Sequence, residues 1–217
     1  MKISRKFATA PAVLAAALGL ALGGATLTAI AAAPAHMQAE SHTMNWFGGP
    51  AYEGAPALEV TAALVKAGGG AEHFTFDKAL VSMLGEKTVN AEVAKLTQQY
   101  GEQNVKNFIA GMTFAINDGL KRATEAGVKL PAAPADLTGV KLAKTLVTAG
   151  TAPDHTFWSG YLFDKAISHK LHNQVMADID VKFGHGADEN THKILNQAMH
   201  DVAQALGDKN VKLASLH

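Results

Sequence analysis

Histidine is the residue type whose number and spacing in this 217-residue chain could support chemistry. The chain holds ten histidines, against two arginines and no cysteine. Six of them fall within 46 residues toward the C-terminal end: His155, His169, His172, His185, His192 and His200. Because neutral imidazole is the commonest metal ligand among side chains, this density predicts a site for a transition metal or for haem.

The faces of two predicted helices reduce this set to three histidines. At about 100° per residue, His172 points toward the apolar face of a helix over 170–183, and His169 lies at the edge of that face. His192 lies at the edge of the apolar face of the following helix, over 187–206. We therefore predict that His169, His172 and His192 can converge on one ligand.

Two further residues on these helices bear on that prediction. Met176 lies seven residues after His169 and shares its helix face. A thioether favours copper(I), or haem iron beside a histidine, so Met176 joins the candidate metal ligands. His200 lies nearly opposite the apolar face of its helix, and we expect it to be solvated.

A structural role is the alternative for these histidines. No carboxylate completes a known metal signature such as H-E-x-x-H. Under this interpretation His172 is a core residue whose ring bonds to a backbone carbonyl, and the other histidines lie on the surface. The sequence leaves both interpretations open, with copper, zinc and haem as the candidate ligands.

His73 and His155 form a separate candidate pair. Each follows an acidic residue, Glu72 or Asp154, and precedes aromatic residues. If two halves of the chain are related by a pseudo-twofold axis, the two imidazoles could approach each other as the axial ligands of a haem do. The alternative is that each histidine braces the start of a helix.

Composition excludes several classes of site. The absence of cysteine rules out disulfide scaffolds, thiolate zinc sites, iron–sulfur clusters and C-x-x-C-H haem attachment. The chain has no G-x-S-x-G motif, phosphate loop or dinucleotide fingerprint, so we predict a protein that is not an enzyme. A basic face with clustered arginine, which nucleic-acid binding requires, is also absent.

The first 35 residues have the pattern of a secretory signal peptide. Lys2, Arg5 and Lys6 precede a long uncharged stretch rich in alanine and leucine, which ends in the small-residue site at 33–35. We predict cleavage after Ala35 and location in the periplasm or outside the cell; the alternative is an uncleaved membrane anchor. Removal of these residues leaves 16 basic and 19 acidic side chains, and no later stretch is apolar enough to span a bilayer.

The remaining chain has the periodicity of an all-α protein of about eight helices. We divide it into an aromatic, glycine- and proline-rich arm (36–55), a first helical repeat (56–130), a proline-rich linker (131–136), a second helical repeat (137–207) and a C-terminal tail (208–217). The predicted helices span about 56–67, 75–84, 87–100, 102–126, 137–149, 158–168, 170–183 and 187–206.

The two helical repeats share short sequence matches in the same order. Residues 64–68 resemble 146–150, and Gln99-Tyr100-Gly101 resembles Lys182-Phe183-Gly184. The four residues from Phe76 resemble those from Phe163, which pairs Asp77 with Asp164. These matches predict an internal duplication, with two similar four-helix halves in one bundle.

The leading functional hypothesis is an exported binding protein for a transition metal or haem, using histidine and methionine side chains. A carrier or sensor of an apolar ligand held between the two halves is the second hypothesis. The third is a structural or partner-binding module of the cell envelope, with the aromatic segment 44–52 as the partner surface. No membrane span is expected once the signal peptide is removed.

Overall fold

Eight helices make up most of the chain that the computed structural model describes, which comprises residues 55–151, 156–157 and 160–213. They are α1 (Ala55–Ala67), α2 (Phe76–Leu84), α3 (Glu86–Tyr100), α4 (Glu102–Glu125), α5 (Gly139–Ala149), α6 (Gly160–Ile167), α7 (His169–Phe183) and α8 (Ala187–Ala205). The predicted all-α class is confirmed, and each predicted helix lies within two residues of an observed one.

Several helices follow one another with a single residue between them. Gly85 joins α2 to α3 and Gly101 joins α3 to α4, with φ of 80° and 86°. Ser168 joins α6 to α7 with φ 105°, and it is the one non-glycine residue at positive φ in the described ranges. A side chain in this conformation strains the backbone, whereas glycine has no Cβ to clash. The Ser168 hydroxyl partly compensates by accepting a hydrogen bond of 3.4 Å from the backbone N–H of Leu171.

The main hydrophobic core draws on helices from both ends of the chain. Val60 of α1, Phe108 of α4, Leu142 of α5 and Ile194 of α8 are all buried in the same cluster. Burial of each such side chain contributes about 1.5–3 kcal/mol. Four helices precede and four follow the linker around residues 131–136, while the duplication and the boundaries of the two halves stay predictions.

Helix α4 runs against α3, α7 and α8 and fixes the positions of the last two. Its Gly111 marks a close approach to both, because a Cβ at this position would lie 3.2 Å from Thr191 Oγ1 and 4.0 Å from Ile179 Cγ2. On α6, Ala166 and Ile167 are buried in a cluster with alanines of α1 and α4. These contacts hold α6, α7 and α8 side by side.

The described residues also contain a two-residue parallel ladder. Thr156 pairs with Lys212, and Phe157 with Leu213. Residues 212–213 of the predicted tail are thus paired with the chain ahead of α6. No helix in the described ranges is long and apolar enough to cross a membrane. The predicted signal peptide (1–35) and residues 36–54 of the arm, including 44–52, lie outside the described residues.

Candidate metal centre

The corner between α6 and α7 brings one carboxylate against two imidazoles. Asp164 lies in the last turn of α6, and His169 is the first residue of α7. Asp164 Oδ2 lies 3.0 Å from His169 Nδ1, and its Oδ1 makes a short hydrogen bond with His172 Nδ1. One ligand atom from each of the three residues lies within 4.8 Å of the other two. This is the spacing of a potential metal centre.

The pattern of α7 explains why His172 faces inward. His172, Val175 and Ile179 recur at the three- and four-residue intervals of one helix face, and all three are buried. The predicted inward orientation of His172 is therefore confirmed. The His172 Nδ1 bonds to the Asp164 carboxylate, a partner that the sequence did not predict.

Exposure changes steeply across the cluster. The His172 side chain is 3% exposed, Asp164 is 18% exposed and His169 is 68% exposed. The cluster therefore begins in the core and opens to solvent at His169. An ionised carboxylate can only accept hydrogen bonds, so Nδ1–H of each histidine donates to Asp164.

His192 of α8 is the third predicted histidine that the structure brings to this place. Its ring centroid lies 5.9 Å from that of His172. Its Nδ1–H donates to the backbone carbonyl of Asp188 at 3.0 Å, which leaves Nε2 as the lone-pair nitrogen of the neutral ring. Burial lowers the pKa of His192, and the neighbouring His172 lowers it further. The neutral form, which metal binding requires, is thus favoured.

Asn173 supports the exposed side of the cluster. Its Nδ2 lies 3.1 Å from His169 Nε2, one helical turn away. The rings of His169 and His172 meet edge to face, with centroids 6.3 Å apart. His169 is therefore oriented at both ring nitrogens, by Asp164 and by Asn173, so an ion would have to replace the proton on Nδ1 to use His169 as a ligand.

The donor set suits a divalent transition metal. Tetrahedral zinc with bonds of 2.0–2.2 Å places its ligand atoms about 3.3–3.5 Å apart, and the ligand atoms here lie within 4.8 Å of one another. Imidazole nitrogen with one carboxylate oxygen suits Zn²⁺, Cu²⁺, Ni²⁺ or Co²⁺, whereas Ca²⁺ and Mg²⁺ prefer oxygen alone and Cu⁺ prefers sulfur. Asp164, His169 and His172 could hold such an ion; His192, whose ring lies 5.9 Å from that of His172, is not among the ligand atoms within 4.8 Å of one another.

The other predicted site residues lie elsewhere. Met176 packs in an apolar cluster with Val175, Ile179 and Ala115. His73 is exposed in the turn between α1 and α2, and His155 lies outside the described residues.

His185 is fully exposed in the loop before α8, as its glycine neighbours suggest. His200 is only 24% exposed, so the expectation of a solvated side chain was wrong. Helix α8 packs against α3 at this point, where Lys95 of α3 pairs with Asp201.

Asp164 is the site residue that the sequence pattern did not predict. It precedes His169 by five residues and His172 by eight, and on one continuous helix neither spacing would place it beside both rings. The change of direction at Ser168 creates the contact. One sequence feature could have indicated Asp164: it lies one turn before the predicted helix break at Ser168, and histidines follow that break directly.

No protein-family model, curated protein or solved structure matches the chain. Its function is therefore inferred from the geometry of Asp164 and the three histidines.

Proposed function

We propose that this protein is an exported binding protein for a divalent transition-metal ion. Asp164, His169 and His172 supply three ligands, and the His192 ring, 5.9 Å from that of His172, approaches as a fourth when the ion binds. The observation that carries the proposal is the convergence of three ligand atoms within 4.8 Å of one another at the α6–α7 corner. Export is supported only by the sequence pattern of residues 1–35.

The arrangement of charge supports metal binding over a purely structural ion pair. Asp164 accepts hydrogen bonds from two imidazoles and a third imidazole lies beside His172, so full protonation of the cluster would leave excess positive charge. Burial, and then the neighbouring His172, lower the pKa of His192, which keeps the lone pair of its ring available. A bound divalent ion would take the place of those protons and use the ring lone pairs.

The donor set supports a bare ion over haem. Haem iron takes its protein ligands from the two faces of the porphyrin, whereas His169 and His172 are bridged by one carboxylate group. A carboxylate also favours Zn²⁺ or Cu²⁺ over Cu⁺. The exposure of His169 leaves one side of the site open to water or to an exchanging ligand, which suits reversible binding.

Calorimetric titration of the metal-free protein with Zn²⁺, Cu²⁺, Ni²⁺ and Co²⁺ tests the proposal. We expect one equivalent of at least one of these ions to bind. The Asp164→Asn variant should bind that ion at least 10-fold more weakly. Loss of a residue that only hydrogen-bonds a metal ligand typically lowers metal affinity 10–100-fold, and loss of a ligand itself should lower it at least as much. The visible spectrum of the Co²⁺ form would report the coordination number.

Asp77→Asn is the matched control. The four residues from Phe76 match the four from Phe163, and in this match Asp77 corresponds to Asp164. Asp77 lies on α2, outside the proposed site. Its variant should bind metal like the wild type. Absence of binding by the wild type, or equal affinities of the two asparagine variants, would overturn the proposal.

A further inference from the structure

A polar cleft lies between the N-terminal half of α4 and the loop that joins α7 to α8. It has a volume of about 110 Å³, which is room for roughly eight water molecules. Asn104, Asn107 and Phe108 line the cleft from α4. Phe183, the loop that follows it and the start of α8 form the opposite wall. The cleft therefore has the size of a site for one small ring-shaped molecule.

Three asparagines give the cleft its polar character: Asn104, Asn107 and Asn190. Asn104 Nδ2 donates to the backbone carbonyl of Tyr100 at 2.8 Å, and Asn107 Oδ1 accepts a hydrogen bond of 2.9 Å from Gln103 Nε2. These bonds orient both carboxamides and leave Oδ1 of Asn104 as an acceptor and Nδ2 of Asn107 as a donor. Because the two residues are three apart on α4, the acceptor and the donor belong to one helix face.

The opposite wall is held in place by contacts within the protein. The ring of Phe183 packs edge to face on that of Phe114, with centroids 6.1 Å apart. The Asp180 carboxylate accepts hydrogen bonds from the backbone N–H groups of Gly186 at 3.3 Å and Asp188 at 2.9 Å. These bonds fix the loop between α7 and α8. A wall that is already ordered loses little conformational freedom when a ligand binds.

The lining favours a ligand that is polar but uncharged. Among the described residues that line the cleft there is no carboxylate, lysine or arginine. The one titratable side chain, His185, is fully exposed and lies 3.8 Å from Asp180. A charged ligand would lose hydration without meeting a group of opposite charge in the cleft. An apolar ligand would leave the carboxamides without partners.

A sugar ring has the complementary chemistry. Each hydroxyl group donates one hydrogen bond and accepts others, so neighbouring hydroxyls can use the acceptor of Asn104 and the donor of Asn107 together. A sugar also has an apolar face of C–H groups, which can pack on the electron-rich face of an aromatic ring. Phe183, which is half-buried in the opposite wall, provides such a ring.

We propose that the cleft between α4 and the α7–α8 loop is a binding site for a neutral sugar. Asn104 and Asn107 hydrogen-bond the hydroxyl groups of the sugar, and Phe183 packs against its C–H face. The cleft is separate from the proposed metal centre, because His169 and Phe183 lie at opposite ends of α7, about 21 Å apart at the rise of an α-helix. The inference is thus independent of metal binding.

Titration of the ¹⁵N-labelled full chain with glucose, galactose and mannose tests the proposal by NMR. We expect at least one of these hexoses to shift the backbone amide signals of residues that line the cleft. The amino sugar and the uronic acid of the same configuration retain the ring and add a positive or a negative charge. Both should bind about 10-fold more weakly than the neutral hexose, because the cleft offers no opposite charge.

The Asn107→Leu variant tests the assigned contact. Leucine has nearly the same size but no donor, so the affinity for the hexose should fall about 10-fold. Asn90→Leu is the matched control, since Asn90 is exposed on α3 and outside the cleft, and it should bind like the wild type. No shift with any of the three hexoses, tighter binding of a charged sugar, or equal affinities of the two leucine variants would overturn the proposal. The wild-type titrations decide the question even if Asn107→Leu does not fold.

Discussion

Val89 and His172 occupy the same position in two helices of equal length. Each is the fourth residue of a 15-residue helix that follows a one-residue connector, and both side chains are buried. The connectors, Gly85 and Ser168, share similar dihedral angles, with φ of 80° and 105° and ψ of 149° and 150°. Burial at this position is thus compatible with an aliphatic side chain, and the imidazole of His172 requires another explanation.

The His172→Val variant should separate folding from metal binding. Valine removes a buried polar ring and reproduces the residue that α3 carries at this position, so we expect a Tm equal to or above that of the wild type. The affinity for the metal ion should fall at least 10-fold, because even the loss of a residue that only hydrogen-bonds a metal ligand lowers affinity by that factor. Circular dichroism and calorimetric titration on one preparation measure both quantities. An unfolded His172→Val variant would show that the ring is needed by the core.

Bound metal should stabilise the fold. At a free ion concentration of about 100 times Kd, binding to the folded state alone contributes about 2.7 kcal/mol, which corresponds to a rise in Tm of roughly 8 °C for a domain of this size. Scanning calorimetry before and after addition of a chelator measures the change. The Asp164→Asn variant should show a much smaller rise, and an equal rise would place the ion elsewhere.

At Ser168, glycine should be more stable than alanine, which is the reverse of their order inside a helix. Glycine removes the Cβ that strains the backbone at φ 105°, while alanine retains it and also loses the hydrogen bond to Leu171. We expect Ser168→Gly to be more stable than Ser168→Ala by about 1 kcal/mol or more. Urea unfolding compares the two, and an alanine variant of equal or greater stability would contradict the assigned strain.

Arg122 should be harder to replace than other surface cations. Its guanidinium lies 2.6 Å from Asp118 within α4 and also pairs with Asp178 of α7, a forked arrangement that lysine cannot reproduce. We expect Arg122→Lys to lose about 0.5–1 kcal/mol, within the range for partly exposed pairs. Lys106→Gln, which removes a single exposed pair with Glu102, should lose less. A loss in Arg122→Lys that disappears in 1 M NaCl would agree with an electrostatic origin.

Local pattern was enough to predict the helices but not the whole site. Apolar periodicity and glycine at Gly101 and Gly184 gave helix limits close to those observed, because these signals act within a few residues. The inward orientation of His172 followed from the same periodicity. The contact of His172 with the Asp164 carboxylate could not be predicted in this way. The direction that the chain takes after Ser168 depends on the packing of α6 against α1 and α4.

The environment of His200 was missed for a related reason. A single helix has one predicted apolar face, but α8 contacts α3, α4, α5 and α7, so a second face is covered as well. The ion pair of Lys95 with Asp201 lies on that second face. The two residues are 106 positions apart in the chain, and no local pattern could have paired them.

The single residue between α6 and α7 also bears on the entropy of ion capture. With only Ser168 between the two helices, there is no length of loop over which Asp164 and His169 could drift apart while both helices stay folded. The conformational freedom of these ligands is therefore lost when the protein folds, before any ion arrives. An incoming ion then has little left to order, which is the condition under which a small, partly exposed set of ligands can bind tightly.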